Sequence, residues 1–253
     1  MIDMPDPIKN ELVSVIMPSY NSKEYIKAAI NSVLNQSYTN LELIIINDSS
    51  IDGTLEIIES FTDQRIKIIN SISNEGVALS RNKGISLSRG KYISFLDSDD
   101  LWEMDKLANQ IRYLNDGFDL VCSNYYTFFE DDDSTLKIRI SPQIITYADM
   151  LKSNFIGNLT GIYNAEKIGK VYQKKLGHED YIMWLDIISK TKSAYCIQKP
   201  LAKYRLSKKS LSSNKFIAIQ WQWKIYRNIL KFPWNKSLYF FSHYILNAFK
   251  KRR

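Results

Sequence analysis

The sequence predicts an α/β fold, a Rossmann-like central sheet with helices on both faces. Three observations lead there. Short β-branched apolar runs alternate with amphipathic segments through the first hundred residues, and each run ends in a polar turn. No internal repeat, low-complexity tract or Gly/Pro-rich linker interrupts the first 200 residues. Continuous apolar strands alternating with helices indicate a parallel sheet buried on both sides. At 253 residues, 45% hydrophobic and 24% charged, the composition is that of a folded chain, and disorder throughout is excluded.

The elements follow in order. "LVSVIMP" is a strand closed by Pro18. "NSKEYIKAAINSVLNQ" places Tyr25, Ile26, Ala29, Ile30, Val33 and Leu34 on one helical face, with Asn21 or Ser22 as N-cap. Then come "LELIIIN" as strand, "SSIDGT" as turn, "LEIIESF" as helix and "RIKIIN" as strand. "VALSRNKGISLSRG" reads as a helix closed by Gly90, and "YISFL" as a fourth strand. From about residue 105 the rhythm loosens: Met104, Leu107, Ile111 and Leu114 mark a helix, "FDLVCSNYYTFF" a strand, "EDDDS" a polar loop and "NLTGIYN" another strand. "GHEDYIMWLDIISKT" is a loop feeding a helix with Tyr181, Trp184, Leu185 and Ile188 inward. A second, mixed half is therefore expected. The division is a lead over residues 1–11, halves over 12–103 and 104–212, and an extension over 213–253.

In parallel sheets ligands bind beyond the carboxyl ends of the strands, so function is sought in the turns. Asp97-Ser98-Asp99 follows the fourth strand. Carboxylates at i and i+2 can converge on a hard divalent cation that keeps sites for phosphate, or stand as solvated turn residues, with Asp100 capping the next helix. Asp48, after the second strand, is either an Asx-turn residue or an acceptor for a nucleotide's ring N–H or ribose hydroxyl. Tyr20 offers a face for a base or a packing contact. Arg81, in "GVALSRNKG", reaches a phosphate or base carbonyl, or makes a surface ion pair. Glu179 and Asp180 supply a general base at the mouth of a site, or simply complement a helix dipole. His178 has no partner at metal spacing, which rejects a zinc site. A D-x-D phosphatase remains a rival, although there the motif belongs after the first strand. A non-catalytic module with inert acidic turns is another.

Taken together, "VSVIMPSYNSKEYIKAAINSVLNQSY", "LELIIINDSSIDGT", "NEGVALSRNKGISLSRGKYISFLDSDDLW" and "GHEDYIMWLDIISK" resemble the family 2 inverting glycosyltransferases of the GT-A fold, over residues 12–206. The resemblance implies that Pro18, Tyr20 and Asp48 line the base, with Arg81 nearby and Glu24 in support. It puts Asp97 and Ser98 at the ribose or donor sugar, Asp99 on a divalent cation (Mn²⁺ or Mg²⁺), and Asp180 as the base. His178, Glu179 and Trp184 are acceptor or loop candidates. With "KPLAKYRLSKKSLS", the chain is similar to bacterial O-antigen, capsule and teichuronic-acid transferases, which makes Arg205 a candidate for the donor phosphates. A nucleotide-sugar donor, UDP-linked by that analogy, and a lipid-linked saccharide acceptor are the partners the resemblance implies.

Charge is distributed unevenly. Residues 1–186 hold 18 Lys and Arg against all 27 acids, whereas residues 187–253 hold 16 basic residues and no acid. The extension interleaves Phe216, Ile219, Trp223, Tyr226 and Leu230 with Lys and Arg before Pro233, and "LYFFSHYILNAF" is too short to span a bilayer. It is expected to lie on an anionic membrane surface or to pack on the domain; no recognisable nucleic-acid fold motif accompanies it. The start lacks signal-peptide features and Cys122 and Cys196 read as reduced core residues, so the expected location is the inner face of the cell membrane.

Overall fold

The computed structural model describes residues 10–129, 132–206 and 215–250. Ten strands form one mixed sheet among these residues: β1 (Val13–Ser19), β2 (Leu41–Asn47), β3 (Ile66–Asn70), β4 (Tyr92–Phe95), β5 (Leu101–Trp102), β6 (Leu120–Phe129), β7 (Asp132–Arg139), β8 (Ile144–Thr146), β9 (Ile162–Asn164) and β10 (Ser193–Arg205). The strand order is β3-β2-β1-β4-β9-β6-β10-β5, with β7 beside β6 and β8 beside β10. The first four strands are mutually parallel, and β9 then pairs antiparallel with both β4 and β6. The helices are α1 (Ile26–Leu34), α2 (Thr54–Glu59), α3 (Val77–Leu87), α4 (Lys106–Asn115), α5 (Tyr147–Lys152), α6 (Ala165–Ile168), α7 (Glu179–Thr191), α8 (Lys215–Lys224) and α9 (Trp234–Lys250).

The alternation of side chains along β1 builds two cores. Val13, Val15 and Met17 pack with Ile26, Ala29, Ile30 and Val33 of α1 and with Leu107, Ile111 and Leu114 of α4. On the opposite face, Ile16 joins Ile44, Ile46, Ile93 and Phe95 under Ile85 of α3 and the apolar residues of α7. A strand buried on both faces needs apolar residues at odd and even positions, which is why "VSVIM" and "LELIII" read as unbroken runs. Gly84 brings α3 unusually close: a Cβ there would lie 2.5 Å from Ile16 Cγ2.

Several elements differ from expectation. Helix α1 begins at Ile26 and neither Asn21 nor Ser22 caps it with a side chain; instead Ser22 carbonyl accepts from the N–H groups of Tyr25 and Ile26. Helix α3 stops at Leu87, ahead of Gly90. Asp100 caps no helix, because β5 intervenes and α4 starts after Asp105. The loop expected over 130–134 gives way from Asp132 to β7, a hairpin partner that places Tyr126 opposite Ile138. The cysteines, 74 positions apart in sequence, sit opposite each other on β10 and β6 as free buried thiols.

The extension packs on the domain. Helix α5 ends with carbonyls that a helix cannot satisfy internally. Tyr181 Oη donates to Met150 O (2.7 Å), Tyr226 Oη to Leu151 O (2.6 Å) and Asn247 Nδ2 to Lys152 O (3.2 Å). Two of these three donors come from beyond residue 213. Residues Ile225–Ile229 form a π-helical turn between α8 and α9, and Tyr226 within it is fully buried.

Candidate active site

A crevice opens where β1 and β4 part. Their pairing ends at Ile16 and Phe95, while β1 runs on to Ser19 beside Asn47 of β2. Leu96 N–H donates to Ile16 O at 3.1 Å, so the even-numbered backbone groups of β1 face β4. The N–H that Pro18 lacks would therefore have met no strand, which allows proline deep in a central strand. The chain adds β2 and β3 on one side of β1 before crossing to β4 on the other. That reversal is where open α/β sheets hold ligands.

The first rim is formed by the loops after β1 and β2. Asn21 and Ser49 have φ of 47° and 64°, the left-handed region that costs energy for residues with a Cβ. The two loops are laced together: Asn21 N–H donates to Ser50 Oγ (3.1 Å) and Asn21 Oδ1 accepts from Ile51 N–H (3.0 Å). Tyr20 projects from this rim with half its surface exposed, and Glu24 is exposed in the turn before α1. Asp48 is buried, and its carboxylate accepts the N–H groups of Glu75 (3.0 Å) and Gly76 (2.8 Å). It thereby fixes the loop that opens α3. A carboxylate has about four acceptor sites, so capacity remains for a ligand donor.

Opposite stands the turn after β4. Arg81 Nη2 donates to both oxygens of Asp97, at 2.6 and 2.8 Å, and Nη1 donates to Gln173 Oε1 at 3.2 Å. Burial works against the guanidinium's charge, yet Asp97, aided by Asp180 and Glu179, outweighs it and holds Arg81 firmly protonated. Ser98 is buried beside them. Burial and the neighbouring Asp97 push Asp99 above the usual carboxylate range, and burial pushes Asp100 well above it. Asp100 Oδ1 accepts from Arg205 N–H (2.8 Å), and Arg205 Nε donates to Asp99 O (2.9 Å). The Arg205 guanidinium lies between the rings of Tyr25 (4.3 Å) and Phe128 (4.6 Å). Arg205 is thus the last residue of a strand holding the acidic turn in place. The basic loop that follows it, residues 207–214, lies outside the described residues.

The third side is the start of α7. Gly177 and His178 are both left-handed, with φ of 75° and 53°, and the helix begins with Glu179 and Asp180 in its first turn. Asp180 is pushed upward by burial, an effect that Arg81 and His178 partly offset. Its helix is anchored in the core by Tyr181, Ile182, Met183, Leu185, Ile187 and Ile188. Trp184 belongs to that core and not to the site. It is fully buried, edge-on to Phe95 (5.8 Å) and Tyr163 (6.3 Å), and presses on Gly161. Its period-matched place on the inward face of α7 puts it there.

Arg81, Asp97, Asp100, His178, Glu179 and Asp180 share one cleft of about 530 Å³. Its other walls include Tyr125, Asn158, Tyr204, Trp221, Gln222 and Tyr244, none of which the motifs identified. Gln173, which holds Arg81, was also missed. A lone amide or aromatic in a non-motif segment carries no local signal; only the topology assembles them.

The acidic turn suits a hard divalent cation. Burial, with repulsion from the neighbouring carboxylates, raises Asp99 and Asp100, and a cation beside them would favour their ionised forms. No group of three His, Cys, Asp or Glu residues among the described residues forms an all-protein cage. Mg²⁺-like ions need none, because they bind through one or two carboxylates and complete their shell with water and substrate phosphate.

Comparison with known proteins gives the family and the fold. Residues 14–172 match the family model described as Glycosyl transferase family 2. The Bacillus subtilis (strain 168) protein named as a teichuronic acid biosynthesis glycosyltransferase, TuaG, is 38% identical over 95% of this chain and 97% of its own length. The Escherichia coli UDP-Glc:alpha-D-GlcNAc-diphosphoundecaprenol beta-1,3-glucosyltransferase WfgD is 36% identical over 95% of this chain and 94% of its own. Among solved structures, S. aureus TarS 1-349 in complex with UDP-GlcNAc superposes with a TM-score of 0.71 at 18% identity, covering 92% of this chain and 71% of that one. The phosphatase and non-catalytic readings fall away. The mixed sheet is that of the GT-A fold, and with the family model matched over residues 14–172 and a relative 38% identical over 95% of the chain, the chain belongs to glycosyl transferase family 2.

Proposed function

We propose that this glycosyltransferase moves a hexose or N-acetylhexosamine from a UDP-sugar to a hydroxyl of a lipid-linked saccharide, with inversion at the anomeric carbon. The observation that carries the reading is the placement of Asp180, held by a core helix in the same cleft as the Arg81–Asp97 pair. The relatives named for teichuronic acid and for a diphosphoundecaprenol acceptor support the choice of donor and acceptor.

Asp180 accepts the proton of the acceptor hydroxyl as its oxygen attacks the anomeric carbon. Its raised carboxyl pKa makes it a stronger base than an ordinary aspartate, provided it is ionised at working pH. Tyr20 and Asp48 receive the base, while Arg81 holds Asp97 in a fixed orientation for the donor's ribose or sugar. Asp99 would hold a divalent cation, which supplies charge stabilisation to the departing diphosphate when bound. Arg205 fixes the loop carrying that carboxylate through the Asp99 carbonyl and the Asp100 side chain. The test is transfer from a panel of UDP-, GDP- and CMP-sugars to a GlcNAc-diphospholipid, with Mn²⁺, Mg²⁺ or chelator. Transfer from a UDP-sugar that Asp180→Asn slows by about 10²- to 10⁴-fold is expected; wild-type turnover undiminished in that variant removes Asp180 from the role of base.

We further infer that α9 rests on an anionic membrane. Trp234, Leu238, Tyr239 and Leu246 are all more than half exposed, and residues 187–253 contain no acid. Aromatic rings favour the interface, and each basic residue gains about 1 kcal/mol near anionic lipid. No described helix is long and apolar enough to cross a membrane.

A further inference from the structure

The family match ends at residue 172, yet the cleft does not. Trp221 and Gln222 of α8 and Tyr244 of α9 line it, together with Asp180 and Asn158. The geometry points to an acceptor-sugar subsite shared between Asn158 and the C-terminal extension, with Trp221 as a specificity-determining residue. The proposal rests on the transferase reading of the cleft and assigns the ligand's class: the terminal pyranose of the acceptor.

Two independent observations meet here. Trp221 is locked to the loop that delivers the base. A Cβ on Gly177 would lie 2.5 Å from Trp221 Cδ2, and the indole stands edge-on to His178 at 5.3 Å. Gln222 Nε2 donates to Tyr181 Oη at 3.3 Å, next in sequence to Asp180. The indole is therefore packed against the loop that opens α7 and lies within the same cleft as Asp180. Sugar-sized sites pair such aromatic walls, which cover apolar C–H faces, with a few polar groups that fix orientation.

Asn158 supplies the polar half. It lies in a single 3₁₀ turn, Asn158–Thr160, far in sequence from the extension. Both its Nδ2 and Oδ1 are buried without a hydrogen-bond partner. A buried amide with donor and acceptor both unmet is costly, so such a residue stands out against the usual satisfaction of buried polar atoms. One donor and one acceptor are the complement of a sugar hydroxyl, which can accept and donate at once. Gly157, just before it, and Leu159, just after, line the same cleft.

The test uses the full chain with UDP-glucose and a synthetic GlcNAc-diphosphoundecyl or GalNAc-diphosphoundecyl acceptor, whichever the wild type extends. Trp221→Ala and Asn158→Leu are each expected to raise the acceptor KM about ten- to a hundred-fold, with UDP affinity by calorimetric titration within twofold of wild type. Trp221→Phe, which keeps a ring against Gly177, is expected to recover most of the acceptor KM. Asn158→Leu lies on a separate element, so a folding defect in Trp221→Ala does not remove the test. An acceptor KM unmoved in all three variants, with only kcat reduced, means that the extension merely positions the α7 loop, and the subsite is overturned. A wild type that binds no UDP overturns the transferase donor reading itself, and that outcome is seen before any variant is made.

Discussion

Asp180, the proposed base, illustrates how a residue suited to chemistry can be costly to the fold. Burial raises its pKa, so the folded state holds the proton more tightly than the unfolded chain does. The stability this group contributes at acid pH is lost as pH rises from the ordinary carboxylate value through the raised one. At neutral pH, Asp180→Asn is therefore expected to lower kcat by about 10²- to 10⁴-fold while raising the melting temperature by a few degrees. Calorimetry and initial rates on one preparation check both; a lower melting temperature would show that the charge stabilises the fold. Lys106 gives the opposite sign. Its amine is fully buried, donates to Gln110 Oε1 at 2.8 Å, and sits 3.7 Å from the Trp102 ring centroid, and burial lowers its pKa well below the usual range. The unfolded chain then binds the extra proton, so wild-type stability should grow relative to Lys106→Met as pH rises from about 7 to 10. Urea unfolding at several pH values measures this; a difference that does not vary with pH would mean the amine stays charged inside.

Among the elements, the junction of loop and α7 is the most constrained. Gly177 needs its left-handed φ of 75° and also leaves no room for a Cβ beneath Trp221. Gly177→Ala is expected to destabilise by roughly 1–3 kcal/mol and to reduce kcat by displacing Asp180. Denaturant midpoints and single-turnover rates are the measurements, and a variant with wild-type values in both would show that the loop relaxes freely. The central elements were legible in the sequence because a strand buried on both faces has an unmistakable apolar run, as "LELIIIN" shows. The motif turns were legible too, since the topology fixes where they must meet. What escaped was determined at long range. β7 exists because β6 offers it an edge, and Asp100 is claimed by Arg205, 105 positions on. Trp184 was read both ways: its helical spacing put it inward, where it is found, and only the resemblance made it an acceptor or loop candidate.

For the whole molecule, the asymmetry of charge becomes a matter of orientation. The acidic site and the basic extension belong to one body, since Tyr226 of the π-helical turn and Asn247 of α9 donate to the Leu151 and Lys152 carbonyls of α5, and Gln222 of α8 donates to Tyr181 Oη of α7. Wild-type protein is expected to float with vesicles containing phosphatidylglycerol and not with pure phosphatidylcholine, and 0.5 M salt should release it. Trp234→Ser with Leu238→Ser should weaken flotation while leaving UDP binding intact; unchanged flotation removes α9 as the docking face. The extension's charge was visible in the sequence, but its share of the cleft was not, because Trp221 and Tyr244 are 23 positions apart on separate helices. The grip on α5 has a further consequence. Its acceptors are main-chain carbonyls, which every residue type provides, so these hydrogen bonds make no demand on side-chain identity in α5 and place it on Tyr226 and Asn247 instead. Over generations, then, the extension can change elsewhere along its length, but at this seam only where those two donors, or others in their place, are kept.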